Sequence, residues 1–404
     1  MANNSKSPKK SSSSSSNNKT MKKGVKVAKK MAKKNPKAFF IILVILILVI
    51  GLGIGGYFIW KQLNGDNQPS TTSSTNESSE VFTGDVAKMD INFLELGNKY
   101  TGDSTFIKAG DVDILIDAGS RAGSASTISS FVDQYCKDGK LEYVIATHAH
   151  QDHIAGFVGT KSAVGVLRNY KIDTLIDFAL TNATSQIYKD YVEIRDQEIG
   201  YGNIAHHYTA AECVAQSNGA KKVYQLAAGI TMEILDQKFY REKTSDENDY
   251  SVCTLFTQGN NHYLFTGDLE KDGEASLVAS NNLPEVELFK GGHHGSYTAN
   301  TDTLLSVIKP KTVCICCCAG STEYTTNLDN TFPAQAAINR IGKYTDQVFV
   351  TTVDSTNSQG YESMNGNIKF LCTDGVNYTV TGSNNSTILK DTEWFKKNRT
   401  WPTN

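Results

Sequence analysis

The residues best suited to chemistry crowd into one heptapeptide, "THAHQDH", Thr147 to His153. It holds three of the chain's eight histidines, with a carboxylate between the second and the third. Imidazole and carboxylate form a borderline-hard ligand set that suits Zn²⁺, Mn²⁺ or Fe²⁺. His148 and His150 are one residue apart, so a loop that turns there aims both into one site, where they can hold one metal. Asp152 and His153 follow on the next turn and can hold a second. The competing reading is a polar surface loop with chance histidines. With eight histidines in 404 residues, such a cluster is a rare coincidence.

One loop cannot supply every ligand. "HYLFTGDLE" ends an apolar run at Asp268. A carboxylate there is costly to bury unless it is paired or coordinated. A bridge between two metals accounts for it, and an N-cap on the next helix is the plainer alternative. "VELFKGGHHGS" ends another apolar run at His293 and His294. Gly291, Gly292 and Gly295 free the backbone to turn tightly beside a metal. A solvated surface pair is the plainer alternative for these two histidines. All three stretches fall at the C-terminal ends of expected strands, and that shared position argues for one site.

The strands set the fold. "INFLEL", "STFIKA" and "VDILIDAG" read as strands, and residues 122–137 as an amphipathic helix. "LEYVIATHAH" reads as a strand that runs into the ligand loop. Residues 156–220 read as a mixed, helical middle. "AAGITMEILD" reads as a strand, and the hairpin from "YSVCTLFTQ" to "HYLFTGD" follows it. Helices are expected over "LEKDGEASLVAS", 300–308 and 333–344, between the strands "VELFKGG", "TVCICCC" and "QVFVTT". "GNIKFLCTDGVNYTVTG" closes the region as a hairpin that turns at Asp374-Gly375. Consecutive strands followed by strand–helix alternation predict two sheets covered outside by helices, a four-layer αββα sandwich of the α/β class over 89–382. Cys314, Cys316, Cys317 and Cys318 lie in an apolar run without CxxC pairs, so they read as a buried strand and not as a zinc cluster. The C-terminal tail, 383–404, receives no function.

Composition divides the rest of the chain. Residues 1–37 hold 12 lysines and no acid, and read as a basic disordered tail. Residues 38–60 are uncharged and mostly apolar, long enough for one transmembrane helix. Their length and the lack of a small-residue cleavage site argue against a cleaved signal peptide. The lysine bias puts the N-terminus in the cytoplasm and the rest of the chain outside the cell membrane. The lipid bilayer is thus an expected partner through 38–60. Residues 61–88 form a Ser/Thr/Asn-rich linker. Residues 1–61 carry 13 lysines and no acid, which leaves 27 basic and 42 acidic residues, a formal charge of −15, for residues 62–404. That charge disfavours tight, non-specific binding of long nucleic acid and leaves room for a small phosphodiester.

In order along the chain, the motifs resemble those of the metallo-β-lactamase-fold hydrolases. "THAHQDH" is similar to their HxHxDH signature. "LIDAG", Leu115 to Gly119, resembles the early Asp motif, and "LFTGD" the strand that delivers a bridging Asp. "FKGGHHGS" resembles the GHHGS element of one branch, which includes the hydrolase domain of competence-type DNA-uptake proteins and the surface phosphorylcholine esterases. "ELGNKYTGDST" resembles that branch's opening DVGQGDS, with Glu95 for Asp and an insertion at 99–101. "ENDYSV" resembles its Asn/Ser-rich turn before the hairpin.

The resemblance implies one or two divalent ions, Zn²⁺ or alternatively Mn²⁺. His148, His150 and Asp268 would hold one, and Asp152, His153 and Asp268 the other. His293 and His294 would complete the shells, or one of them would face the substrate. Asp117 would support a ligand histidine from behind, and Ser296 would position substrate or cap a helix. Asp152 would also orient a metal-activated hydroxide, and His294 would serve the oxyanion or leaving group. The superfamily usually has a further metal-binding histidine before the bridging Asp, where this chain offers only His206, His207 and His262. Phe332-Pro333 stands where the branch often has His-Pro. The implied function is a membrane-anchored hydrolase of phosphodiesters, acting on a small diester or on nucleic acid. A hydrolase of lactones or β-lactams is the alternative. A non-catalytic binding module would have lost ligands of the first cluster, and none is lost.

Overall fold

The computed structural model of the chain describes residues 84–403. The expected tail, membrane helix and most of the linker lie outside those residues. No helix among the described residues is long and apolar enough to cross a membrane.

The strands are β1 (Met89–Phe93), β2 (Thr105–Ala109), β3 (Val112–Ile116), β4 (Lys140–Ile145), β5 (Lys171–Asp177) and β6 (Ile204–Thr209). Then come β7 (Val223–Ala227), β8 (Ile230–Ile234), β9 (Thr254–Gln258), β10 (Asn261–Phe265) and β11 (Leu288–Lys290). The last are β12 (Thr312–Ala319), β13 (Val348–Asp354), β14 (Tyr361–Ser363), β15 (Ile368–Cys372) and β16 (Tyr378–Gly382). They form two eight-stranded sheets, ordered β16-β15-β1-β2-β3-β4-β5-β6 and β14-β13-β12-β11-β10-β9-β8-β7. Each sheet is antiparallel over most of its length and parallel over one run, β3 to β6 in the first and β10 to β13 in the second. Parallel strands all end at one edge, and the loops that leave that edge build the site.

The sheets face each other. Phe93 on β1 stacks on Phe265 of β10 at 6.1 Å, and Tyr263 of β10 meets Phe370 of β15 at 5.1 Å. Helices α1 (Ser124–Val132), α2 (Gln151–Val158), α3 (Val166–Asn169), α4 (Gln186–Gly200) and α5 (Ala210–Ala215) bury Ile128, Phe157, Leu167, Tyr191 and Cys213 in the core of the first sheet. Helices α6 (Lys271–Ser280), α7 (Asp302–Ile308), α8 (Gln335–Ile341) and α9 (Glu393–Asn398) bury Leu277, Leu305, Ile338 and Phe395 against the second. This is the expected helix–sheet–sheet–helix order. All eight residues of β12 are buried, as a central parallel strand covered on both faces requires. Cys314 and Cys316 enter the first core and Cys317 the second, and all eight cysteines of the chain are buried free thiols.

One stretch departs in detail from expectation: the middle, read as mixed and helical, contains the strands β5 and β6. Ile172, Leu175 and Ile176 are spaced like one face of a helix, but pairing with β4 and β6 makes them strand. β6 buries only Ile204, so it has no apolar alternation to read. The C-terminal tail packs on the domain: Leu389 and Phe395 enter the second core, and Arg399 donates to the carbonyls of Thr331 and Pro333.

Candidate metal centre

β4 ends at Ile145, and the chain re-enters helix α2 at Gln151 with His150 as its N-cap. That short loop aims His148 and His150 at the sheet edge, and Asp152 and His153 follow in the first turn. From the second sheet, Gly267 (φ +55°) turns the chain after β10 so that Asp268 reaches the same edge. After β11, His293 and His294 both adopt left-handed backbone, at φ +46° and +53°. That conformation is costly for residues other than glycine and needs support. Asn300 gives it, accepting from the Gly292 N–H and donating to the Gly292 carbonyl, both at 2.8 Å. Glu274 in turn accepts from the backbone N–H groups of Asn300 at 2.6 Å and Thr301 at 2.8 Å.

The donor atoms converge. His153 Nε2 and His294 Nε2 each lie 3.1 Å from Asp268 Oδ2 and 3.3 Å from each other. Asp152 Oδ2 is 3.3 Å from His294 Nε2. Around a tetrahedral zinc with bonds of about 2.0–2.1 Å, neighbouring donors sit roughly 3.3–3.4 Å apart, so this spacing fits one ion. On the other side His148 Nε2 and His150 Nδ1 are 3.0 Å apart, and His148 Nε2 is 4.0 Å from the same Asp268 oxygen. The other Asp268 oxygen is buried with no hydrogen-bond partner.

Groups behind the ligands fix their tautomers. Asp117 takes the Nδ1 proton of His153 at 2.7 Å, and the Cys316 carbonyl takes that of His294 at 2.9 Å. Both rings therefore present Nε2 to the centre. Asp103 pairs with the buried Lys290, and its other oxygen is 3.5 Å from His294 Nδ1. Four buried carboxylates, Asp103, Asp117, Asp152 and Asp268, thus face one buried ammonium. The excess negative charge must be met by cations. In the protein alone the imidazoles meet it. Burial pulls His153 down, yet Asp268 and Asp117 lift it to about 10. Burial likewise opposes His294, and Asp268 and Asp103 raise it well above the ordinary value. Burial pushes Asp268 up, but His153 and His294 hold it well below the carboxylate range. His148, buried beside His153 and His150, is lowered. The site is a place for positive charge, and its N/O donor set fits divalent metal ions.

A cavity of about 620 Å³ opens over these residues, lined also by Arg121, Asn248, His293, Glu323, Tyr324 and Phe332. Tyr324 donates to Asp152 Oδ2 at 2.7 Å. His293 stands apart from the tight cluster, its Nε2 4.0 Å from Asp268 Oδ2 and its Nδ1 3.1 Å from Glu270 Oε1. Ser296 is buried and bonds Thr298 Oγ1 at 2.9 Å in a turn, away from the cavity. His206 is exposed on β6, His207 binds Asp177 at 2.9 Å, and His262 faces Thr257 at 3.2 Å, so none of these three joins the centre. Asp103, Lys290, Glu270, Asn248, Arg121 and Tyr324 escaped the sequence reading. Asp103 and Asn248 lay inside the motif-like stretches "ELGNKYTGDST" and "ENDYSV" without being singled out, and Lys290 carried a signal of its own, a charge at the end of an apolar strand, like Asp268.

The fold is a two-sheet α/β sandwich with a candidate metal centre at one edge. Residues 97–170 match the Metallo-beta-lactamase superfamily. Over 184 residues the chain is 26% identical to ComE operon protein 3 of Bacillus subtilis, covering 44% of this chain and 20% of that protein. Over 67 residues it is 34% identical to Recombination protein 2 of Haemophilus influenzae, covering 17% and 8%. The chain therefore matches a fifth or less of the length of these relatives. Among solved structures, the metallo-beta-lactamase fold protein YhfI of Bacillus subtilis aligns with TM-score 0.38 and 11% identity, over 67% of this chain and 98% of that one. The chain resembles the metallo-β-lactamase-fold hydrolases, in the branch of the competence-related proteins.

Proposed function

We propose that this chain is a membrane-anchored, metal-dependent phosphodiesterase whose hydrolase domain lies outside the cell membrane. The observation that carries the proposal is the convergence of His153, His294, Asp268 and Asp152 beneath a cavity whose wall holds Arg121. Arg121 is the one arginine or lysine among the described residues that line this cavity. Its guanidinium pairs with Glu323 and lies 4.0 Å over the Tyr100 ring, still partly exposed. A guanidinium held in that way suits an anionic phosphoryl group. The name Recombination protein 2 supports nucleic acid as one diester to test.

His148, His150 and Asp268 would hold one divalent ion, and Asp152, His153, Asp268 and His294 a second. When bound, such ions lower the pKa of water and stabilise charge on a phosphoryl oxygen. Asp152, held by Tyr324, orients the attacking water. Arg121 binds a non-bridging oxygen. His293 suits the general-acid role better than His294, because His294 is engaged in the donor cluster. Glu270 holds His293 through Nδ1 so that Nε2 faces the cavity, where it passes a proton to the leaving oxygen. Water and a diester yield a monoester and an alcohol.

The test is to purify the chain, measure bound metal and assay bis-p-nitrophenyl phosphate, linear DNA, phosphorylcholine esters and a chromogenic lactam. Diester cleavage that vanishes in Asp152→Ala and Asp268→Ala is expected. Metal-replete protein that cleaves only the lactam would sink the proposal. The anchor at 38–60 and the outward orientation rest on the apolar run and the lysine bias. Protease added to intact cells should release the domain. Release only after permeabilisation reverses the orientation.

A further inference from the structure

The His148–His150 side of the centre has three donors where its partner side has four. Of the histidines outside the two donor sets, His206, His207 and His262 lie elsewhere, and His293 is held by Glu270 in the general-acid role proposed above. We propose that Asn248 fills the place through its side-chain oxygen, as a protein ligand to the ion held by His148 and His150. The proposal rests on the reading of the site as a metal centre.

Three observations carry it. Asn248 is buried and lines the cavity together with His150 and Asp268, and its Oδ1 has no hydrogen-bond partner. A buried amide oxygen left unpaired is costly, and a cation removes the cost. The amide's orientation is fixed as well. Its Nδ2 donates to Glu270 Oε1 at 3.1 Å, and a carboxylate can only accept, so the nitrogen must face Glu270 and the oxygen must face away. Finally, the segment that carries Asn248 is strapped along the ligand loop. The Val252 N–H donates to the Thr147 carbonyl at 2.9 Å, and the Ala149 N–H to Glu247 Oε1 at 3.3 Å. Ser251 Oγ sits 3.4 Å from His148 Nδ1. Asn248 is therefore held beside the two histidines by contacts on both sides of it in sequence. Glu270 binds His293 through the same oxygen that accepts from Asn248, so one carboxylate aims both an imidazole and an amide. An amide oxygen is a harder ligand than the imidazole that would otherwise complete this side.

The full chain would be titrated with Zn²⁺ and with Mn²⁺ in competition with a chromophoric chelator, and with Co²⁺ followed by visible absorption. Wild type should bind two ions per chain. In Asn248→Leu the weaker site should lose about tenfold or more in affinity, and the Co²⁺ band of that site should change, while the tighter site stays as it was. Asn248→Asp should keep two sites and tighten the weaker one, and this variant covers the case in which Asn248→Leu does not fold. Two unaltered affinities and an unaltered Co²⁺ spectrum in Asn248→Leu would overturn the proposal, as would an unchanged weaker site in Asn248→Asp. A single ion whose affinity ignores both variants would overturn it too. Wild type that binds no ion at all refutes the metal centre itself, a separate failure.

Discussion

Asp117→Asn is the substitution that best separates ligand orientation from packing. Asp117 follows β3 at φ +58°, a backbone that asparagine adopts more readily than most residues. The side chains are isosteric, so neither the turn nor the cavity need change. Only the donor pattern changes. In the protein Oδ1 accepts from the Thr147 N–H at 2.8 Å, and Oδ2 accepts from the Thr147 hydroxyl and from His153 Nδ1, both at 2.7 Å. An amide has one accepting end. If its oxygen keeps the Thr147 N–H, its NH₂ faces His153 Nδ1, which must give up its proton. The proton moves to Nε2, and the lone pair no longer points at Asp268 and His294. Loss of such an orienting partner lowers metal affinity by about 10–100-fold, or roughly 1.4–2.7 kcal/mol. If the oxygen instead keeps His153, the NH₂ meets the Thr147 N–H, donor against donor. That orientation spares the metal and costs about 1–3 kcal/mol of stability. Chelator competition measures the first outcome and denaturant unfolding the second. Imidazole ¹⁵N shifts report where the His153 proton sits. Unchanged affinity together with unchanged stability would refute the account of Asp117. Asp117→Ala should do worse than either, since it adds left-handed strain of about 1–2 kcal/mol.

Three further substitutions test the supports of the site. Glu274→Gln should cost about 1–3 kcal/mol in urea unfolding, because an amide cannot accept at both ends from Asn300, Thr301 and the Thr301 hydroxyl. Arg121→Ala should raise KM for bis-p-nitrophenyl phosphate roughly tenfold with kcat within about twofold, the mark of lost substrate binding. Equal losses in kcat and kcat/KM would instead assign Arg121 to the transition state. Phe395→Ala should lower stability by about 3–5 kcal/mol, since the side chain is 3% exposed in the second core. A variant as stable as wild type would show that the C-terminal segment is dispensable.

Much of this architecture is written locally in the sequence. Apolar runs ending in His148, Asp268 and His293 announce strands that deliver ligands, because ending a buried strand on a charge or imidazole is expensive without a partner. What stays hidden depends on partners brought from afar. β5 carries helical spacing and is decided by its neighbours in the sheet. Asn248 looks like an ordinary turn residue until Glu270 claims its nitrogen. Tyr324 lies in a polar loop with no pattern, and only the fold sets its hydroxyl on Asp152.

The division of the donors between the sheets has a consequence for how the centre is built. His148, His150, Asp152 and His153 leave the first sheet, and Asp268, His293 and His294 leave the second. A metal binding both sets would lock the sheets together, and stability should rise with free metal as ligand linkage requires. Yet the sheets do not depend on the ion to meet. Asp103, from the β1–β2 loop, pairs with Lys290 at the end of β11, and Asp117 and Thr147 hold His153 from within the first sheet. The buried pair spans the junction directly beneath the ligands and sets their separation before any cation arrives. Removing one member of it leaves an uncompensated buried charge beside the donors, a larger penalty than loss of a surface pair. The scaffold is thus pre-organised, and metal affinity reports on the Asp103–Lys290 ion pair, whose carboxylate lies within the same donor cluster as His153, Asp268 and His294.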